Sequence, residues 1–123
     1  MQEHKIILTW EAIYDAAEIA EYIEENFSLR TADTFQQNLQ KEFNKISLNA
    51  KLFAPTHILY RGYHIYKRIF KPSLIFYIIK EAEKEVHILR ILRGERDWEH
   101  ILKNSGDYTY PENNSQPNAP SRS

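Results

Sequence analysis

The first half of the chain carries apolar side chains at helical spacing. After a short β-leaning run over residues 5–9, apolar residues recur every three or four positions, and acidic residues fall mostly on the opposite side. Thr9 is placed to cap this helix, and Glu11 lies in its first turn, where the helix dipole favours a carboxylate. The pattern predicts that the helix ends near Asn26. Its apolar positions are Ile13, Ala16, Ala20, Ile23 and Phe27.

A second helix follows after a very short connection. Ser28 or Thr31 is predicted to cap it, because hydroxyl side chains accept hydrogen bonds from the first free N–H groups of a helix. Its apolar stripe contains Ala32, Phe35, Leu39, Phe43 and Ile46. A connection this short predicts an antiparallel helical hairpin, and Pro55 is expected to end the helical half.

Three strand-like runs follow, over residues 63–70, 73–80 and 86–92. The links between them are short, which favours an antiparallel meander. The order of elements predicts an α+β fold with an N-terminal strand, an antiparallel helical hairpin packed on a small antiparallel sheet, and a short C-terminal helix. Lys67 and Arg68 are neighbours in one strand and are therefore expected on opposite faces.

The chain is predicted to contain one domain over residues 1–103, followed by a polar tail over residues 104–123. The tail is rich in Asn, Ser and Pro and low in apolar residues. Such a composition buries too little surface to offset its ordering entropy, so we expect this tail to be disordered.

Composition restricts the chemistry further. The chain has 123 residues and no cysteine, which excludes disulfides and thiolate metal sites. The histidines match no metal-binding spacing, and neither a metal nor another cofactor is expected. No stretch approaches the roughly 18 apolar residues that a membrane span needs, and acidic residues come too early for a signal peptide. We therefore expect a cytoplasmic protein that does not associate with a membrane.

Charge is distributed unevenly along the chain. Residues 1–56 contain five Lys and Arg against nine Asp and Glu, whereas residues 57–103 contain ten against six. Three arginines, Arg90, Arg93 and Arg96, lie within seven positions at the end of the last predicted strand. A guanidinium is always charged and presents a planar fork to carboxylates and phosphates, so this segment is interpreted as the rim of a surface that binds an anionic partner.

Several segments resemble the RelE/ParE superfamily of bacterial type II toxins. They are WEAIYDAAEIAEYIEENF in the first helix, TADTFQQNLQKEFNKISLNAKLF in the second, YKRIF and SLIFYII in the strands, and VHILRILRGERDWEHIL at the arginine-rich exit. The resemblance covers roughly residues 5–102. It implies a toxin neutralised by a cognate antitoxin, with operator DNA contacted only through that antitoxin. It also implies one of two targets: DNA gyrase, inhibited by binding as in the ParE-like branch, or mRNA in the ribosome, cleaved as in the RelE-like branch.

The residues favour the gyrase inhibitor. RNA cleavage without a metal needs cations, for which the candidates are Lys67, Arg68, Arg90 and Arg93, and it also needs a base and an acid. RelE-like members carry a Tyr or a His-Tyr pair in the C-terminal segment, but residues 96–102 have no Tyr. The nearest two tyrosines, Tyr108 and Tyr110, fall in the predicted tail. For target or antitoxin binding, the candidates are Arg68, Arg90, Arg93 and Arg96.

Two plainer interpretations stay open. Arg90 could pair with Asp15 or Glu18 of the first helix and have a purely structural role. The whole chain could also be an inactive scaffold that still binds its antitoxin but no longer acts on a target.

Overall fold

The computed structural model describes residues 3–111. Eight α-helices and β-strands follow one another along this part of the chain. They are β1 (Lys5–Leu8), α1 (Trp10–Asn26), α2 (Leu29–Asn49), β2 (Ala54–Tyr60), β3 (Tyr63–Phe70), β4 (Ser73–Lys80), β5 (Glu85–Arg93) and α3 (Trp98–Lys103). The predicted α+β fold, with its helical hairpin and short last helix, is confirmed.

The sheet has five strands in the order β1-β5-β4-β3-β2. All neighbours are antiparallel except β1, which pairs parallel with β5, so that Ile6 lies opposite Val86. The prediction of an antiparallel sheet is therefore wrong for this one edge. A parallel pair needs a long connection between its strands, and the intervening helices and strands provide it.

Strand β2 is a second difference from the sequence prediction, which has no strand there. Its register against β3 shifts between Pro55 and Leu59, and most of its residues are exposed or half-buried. An edge strand that contains a proline and a bulge lacks the regular alternation that identifies strands in a sequence.

Side-chain caps fix both helices of the hairpin. The Thr9 hydroxyl accepts a hydrogen bond from the Ala12 N–H at 3.0 Å, and the Ser28 hydroxyl accepts one from the Thr31 N–H at 3.0 Å. The predicted cap at Thr9 is confirmed, and Ser28 is the residue that caps α2. Helix α1 ends at Asn26, as the pattern predicts.

The sheet buries apolar side chains on both faces. The hairpin covers one face, where the hairpin side chains Ile46 and Leu39 pack in one cluster with the sheet side chains Ile75, Ile88 and Ile91. The second face is covered by α3 and by residues that follow it. Its cluster includes Ile65, Phe76, Leu92, Leu102 and Tyr108.

Residues 104–111 differ from the predicted disordered tail, because they pack on the fold. The Tyr108 side chain is only 6% exposed, and its N–H donates to the Tyr60 hydroxyl at 3.0 Å. Thr109 binds α1 through its carbonyl, which accepts from the Trp10 N–H at 2.8 Å, and through its N–H, which donates to Glu11 at 3.0 Å. The buried Tyr108 ring and the Thr109 hydrogen bonds together anchor this polar segment. The prediction for residues 112–123 lies outside the described part of the chain.

We predict that Tyr108→Ala lowers the free energy of unfolding by about 3 kcal/mol, because it removes a large buried ring from the apolar cluster on the second face of the sheet. Chemical denaturation followed by circular dichroism measures the change. Tyr14→Ala is the matched control, since that ring is 61% exposed. Equal stability of the two variants would show that residues 104–111 do not belong to the folded domain.

Candidate functional site

The sequence prediction points to the C-terminal end of β5. At this end, residues at the start of α1 and just before it bond the edge of β5. Strand β1 ends at Leu8, so β5 has no strand neighbour on that side beyond Ile88. Thr9 and Asp15 continue the hydrogen bonding instead. The Thr9 hydroxyl donates to the Leu89 carbonyl at 2.9 Å, and the Ile91 N–H donates to the Asp15 carboxylate at 2.9 Å.

Arg90 is held by the same carboxylate. Its Nε and one terminal nitrogen donate to the two oxygens of Asp15 at 2.7 and 2.9 Å. The side chains are 19% and 8% exposed for Arg90 and Asp15, so this bidentate pair is largely removed from water. The hydrogen bonds that Arg90 donates to Asp15 raise the pKa of Arg90 further above its usual value. Of the two candidate partners of Arg90 in the first helix, Asp15 is the one that binds its guanidinium.

Arg68 is also engaged internally. Its Nε donates to Glu42 of α2, a carboxylate that is only 8% exposed, and its guanidinium lies over the Phe53 ring at 4.1 Å. The side chain therefore faces the helical hairpin. Removing either partner would leave the other charge partly buried without compensation.

Lys67 lies on the opposite face of the sheet. Its ammonium is 4.8 Å from the centre of the Trp98 ring in α3. The predicted separation of Lys67 and Arg68 on the two faces is confirmed, so these two cations do not share a site.

Arg93 and Arg96 are the two predicted site residues that line a common cleft. Its volume is about 370 Å³, and the opposite wall is formed by α1. The guanidinium of Arg93 lies over the Tyr22 ring at 4.3 Å and pairs with the exposed Glu95 at 3.0 Å. Arg96 is exposed. The α1 wall contributes the carboxylates of Glu18, Glu21 and Glu25. We call this space the charged cleft.

A second cleft adjoins the first and is almost wholly apolar. It has a volume of about 330 Å³ and lies between the hairpin tip and the turn that joins β3 to β4. Arg93, Ile19 and Tyr22 line both clefts. We call this space the apolar groove. The apolar stripes of the sequence do not predict this groove, although an aromatic residue at position 22, outside the predicted apolar stripe, is a signal that could have indicated it.

The C-terminal segment brings a tyrosine to a buried histidine. The hydroxyl of Tyr110 is 2.7 Å from Nδ1 of His87, and Nε2 of His87 is 2.9 Å from Glu85. Burial raises the pKa of Tyr110 to about 12. Two other histidines, His64 of β3 and His100 of α3, are exposed.

Within residues 3–111, no group of three or more His, Asp or Glu side chains could hold a metal ion. No helix in the same residues is both long and apolar enough to cross a membrane.

Residues 6–98 match the family described as the ParE toxin of the type II toxin-antitoxin system, parDE. The match covers well over half of the chain, so the chain belongs to the ParE toxin family. It is accordingly the toxin of a type II toxin–antitoxin system. The match ends at residue 98, so most of α3 and residues 104–111 lie beyond it.

Two solved structures are similar in fold. One is the chromosomal ParDE system from P. aeruginosa, with 20% sequence identity, a TM-score of 0.63, and coverage of 76% of this chain and 98% of that one. The other is the toxin–antitoxin complex RelBE2 from Mycobacterium tuberculosis, with 13% identity, a TM-score of 0.53, and coverage of 74% and 98%. No curated protein matches the chain in sequence.

We predict that Arg90→Ala destabilises the fold by about 3 kcal/mol, because it leaves the buried Asp15 carboxylate without its guanidinium partner. Arg96→Ala is the matched control and is expected to change stability by less than about 0.5 kcal/mol, since Arg96 is exposed. Denaturant unfolding of both purified variants gives the comparison. If Arg90→Ala proves as stable as Arg96→Ala, the ion pair does not support the fold.

Proposed function

We propose that this toxin acts by binding and inhibiting DNA gyrase, with Arg93 and Arg96 as part of its contact surface. The observation that carries the proposal is the separation of the four cations that RNA cleavage would use. Lys67 lies on the α3 side of the sheet, while Arg68 and Arg90 are paired with carboxylates of the hairpin. Cations that are separated from one another and already paired are better suited to binding a protein partner than to phosphoryl transfer.

Metal-independent RNA cleavage makes a specific geometric demand. A base must take the proton of a 2′-hydroxyl, cations must stabilise the charge that develops on the phosphate oxygens, and an acid must protonate the leaving oxygen. All three groups must be within hydrogen-bonding reach of one phosphate. The charged cleft has two guanidiniums and the Tyr22 ring, which Arg93 covers, but its other titratable groups are carboxylates, which repel a phosphate.

The competing proposal, a ribosome-dependent ribonuclease, has one observation in its favour. Tyr110 of the C-terminal segment and His87 of β5 form a His–Tyr pair. A tyrosine whose pKa is about 12 is protonated at neutral pH, so it is a poor general base. His87 is 6% exposed and is bonded on both ring nitrogens, which leaves it little access to a substrate.

The proposed partners follow from the family. A cognate antitoxin would neutralise the toxin by covering its surface, and operator DNA would be contacted only through that antitoxin. Gyrase and ribosomes are both cytoplasmic, so we propose the same location for this protein. Inhibition by binding needs no cofactor.

A pair of assays on the purified toxin tests the target. We expect inhibition of gyrase supercoiling at micromolar toxin, and no cuts in ribosome-bound mRNA when the message is mapped by primer extension. A-site cuts with normal supercoiling would establish the ribonuclease instead. Absence of both effects would favour the inactive scaffold that binds only its antitoxin.

The contact surface is tested by charge removal at the cleft. We expect Arg93→Ala combined with Arg96→Ala to weaken gyrase inhibition by about tenfold, as loss of a charged contact typically does. Lys41→Ala is the control, since Lys41 is an exposed cation on α2 that lines neither cleft. Equal inhibition by the parent, the double variant and the control would remove the two arginines from the target surface.

A further inference from the structure

The two edges of the sheet differ in how they are protected against pairing with another chain. Strand β2 forms one edge, and it carries Pro55 and a register shift, two features that hinder the addition of a further strand. Strand β1 forms the other edge. Its sequence, KIIL, has three aliphatic residues in succession and no proline. An edge strand of this kind is a template for a strand from another molecule.

The hydrogen bonds of β1 show which of its backbone groups face outwards. The N–H groups of Lys5 and Thr9 donate at 2.8 and 3.1 Å to carbonyls of β5 and of the residue just before it. Backbone groups of successive strand residues point to opposite sides, so those of residues 4, 6 and 8 face away from β5. At His4 these groups are used by Ser47 of α2. The Ser47 carbonyl accepts from the His4 N–H at 3.0 Å, and the Ser47 hydroxyl donates to the His4 carbonyl at 2.6 Å.

Ile6 and Leu8 have outward backbone groups that are not used by the fold. Within residues 3–111, neither their N–H groups nor their carbonyls have a hydrogen-bond partner on this side. The free edge therefore offers two donors and two acceptors, spaced by two residues. A strand that pairs with all four groups must present two donors and two acceptors at the same spacing.

A second copy of β1 meets this requirement. When two β1 strands lie antiparallel with Ile7 opposite Ile7 of the second copy, Ile6 of each copy lies opposite Leu8 of the other. Residues opposite one another in a hydrogen-bonded antiparallel pair exchange both of their N–H···O bonds. Four hydrogen bonds then form, and they use every outward N–H and carbonyl of Ile6 and Leu8 in both copies. The edge is therefore complementary to itself about a two-fold axis, the commonest symmetry of homo-oligomers.

The side chains of β1 agree with this pairing. Ile6 and Leu8 pack on the hairpin side of the sheet, so Ile7 lies on the opposite face. Leu8 also lines a cavity of about 320 Å³, together with residues of α1 and α2. In the pair, Ile6 of the second copy lies beside Leu8 on the face of this cavity. Ile7 lies against Ile7 of the second copy, and directly opposite β-branched residues stabilise a sheet.

We propose that the toxin forms a two-fold dimer through antiparallel pairing of β1 with β1 of a second copy. The pairing joins two five-stranded sheets into one continuous sheet. Strand β1 has only four residues, so the contact is small. The dimer is therefore weak, with a dissociation constant on the order of 10–100 μM. It is a property of the free toxin and requires neither the target nor the antitoxin.

A single introduced cysteine tests the register, because the chain contains no other. At a non-hydrogen-bonded antiparallel pair the two Cα atoms lie about 4.5 Å apart, within the range of a disulfide. Oxidation of Ile7→Cys with diamide is therefore expected to give a covalent dimer on a non-reducing gel. Lys5→Cys is the matched control, since Lys5 is on the same face and more exposed. In this register its two copies are about 13 Å apart, so we expect at least tenfold less covalent dimer.

A charged side chain at the two-fold axis tests the pairing without a cross-link. Ile7→Lys places like charges directly opposite each other, which opposes pairing. Ile7 belongs to neither apolar cluster of residues 3–111, so the fold is expected to persist. Sedimentation equilibrium is expected to show at least tenfold weaker self-association. Leu59→Lys is the matched control at the β2 edge, where Leu59 is 55% exposed, and is expected to associate like the parent.

Mixing two variants tests the symmetry. An equimolar mixture of Ile7→Lys and Ile7→Glu is expected to recover the dimer, because opposite charges then face each other across the pair. Thermal unfolding of each variant establishes that it is folded. The cysteine variants decide the question independently if the charged ones are not.

Three outcomes would overturn the proposed dimer. A parent that stays monomeric up to about 1 mM would exclude self-association of this strength. Equal cross-linking of Ile7→Cys and Lys5→Cys would exclude the pairing of β1 in this register. Loss of the dimer in Leu59→Lys, with parent-like association of Ile7→Lys, would assign the contact to the β2 edge.

Discussion

The Asp15 carboxylate joins the two halves of this molecule. It accepts hydrogen bonds from the Ile91 N–H and from two nitrogens of Arg90, so it closes the edge of β5 at the point where β1 has ended. Without this carboxylate, a buried N–H and a partly buried guanidinium would both lose this partner. The position of α1 against β5, and therefore the charged cleft between them, depends on this interaction.

The hairpin, the three long strands and the last helix could be predicted because their signals are local. Thr9 and Ser28 cap helices through neighbouring residues, and the apolar stripes show the helical period directly. Strand β2 could not be predicted, since its proline and bulge remove the alternation. The parallel pairing of β1 could not either, because it depends on contacts between residues about 80 positions apart in the sequence. The packing of residues 104–111 depends on long-range contacts of Tyr108, Thr109 and Tyr110, which a polar sequence does not indicate.

The residue types of the candidate site could be predicted from the sequence, but the acidic partners of its arginines could not. The run of arginines lies at the β5 exit, and Arg93 and Arg96 line a cleft there, while binding of a target or antitoxin at this cleft stays a prediction. The sequence has several acids near enough in principle to pair with Arg90 and Arg68, and only the fold selects Asp15 and Glu42. The plainer interpretation of Arg90 agrees with its geometry, and its part in target or antitoxin binding stays a prediction. The acidic first half and basic second half thus meet across ion pairs inside the molecule, and the charges that remain exposed at the exit are fewer than the count suggests.

A double-mutant cycle on Asp15 and Arg90 tests the central claim most directly. The free energies of unfolding of the parent, Asp15→Ala, Arg90→Ala and the double variant give the coupling between the two side chains. We expect a coupling free energy of about 2 kcal/mol, because the pair is bidentate and largely buried. A value below about 0.5 kcal/mol, the size found for exposed pairs, would contradict the structural role assigned to this interaction.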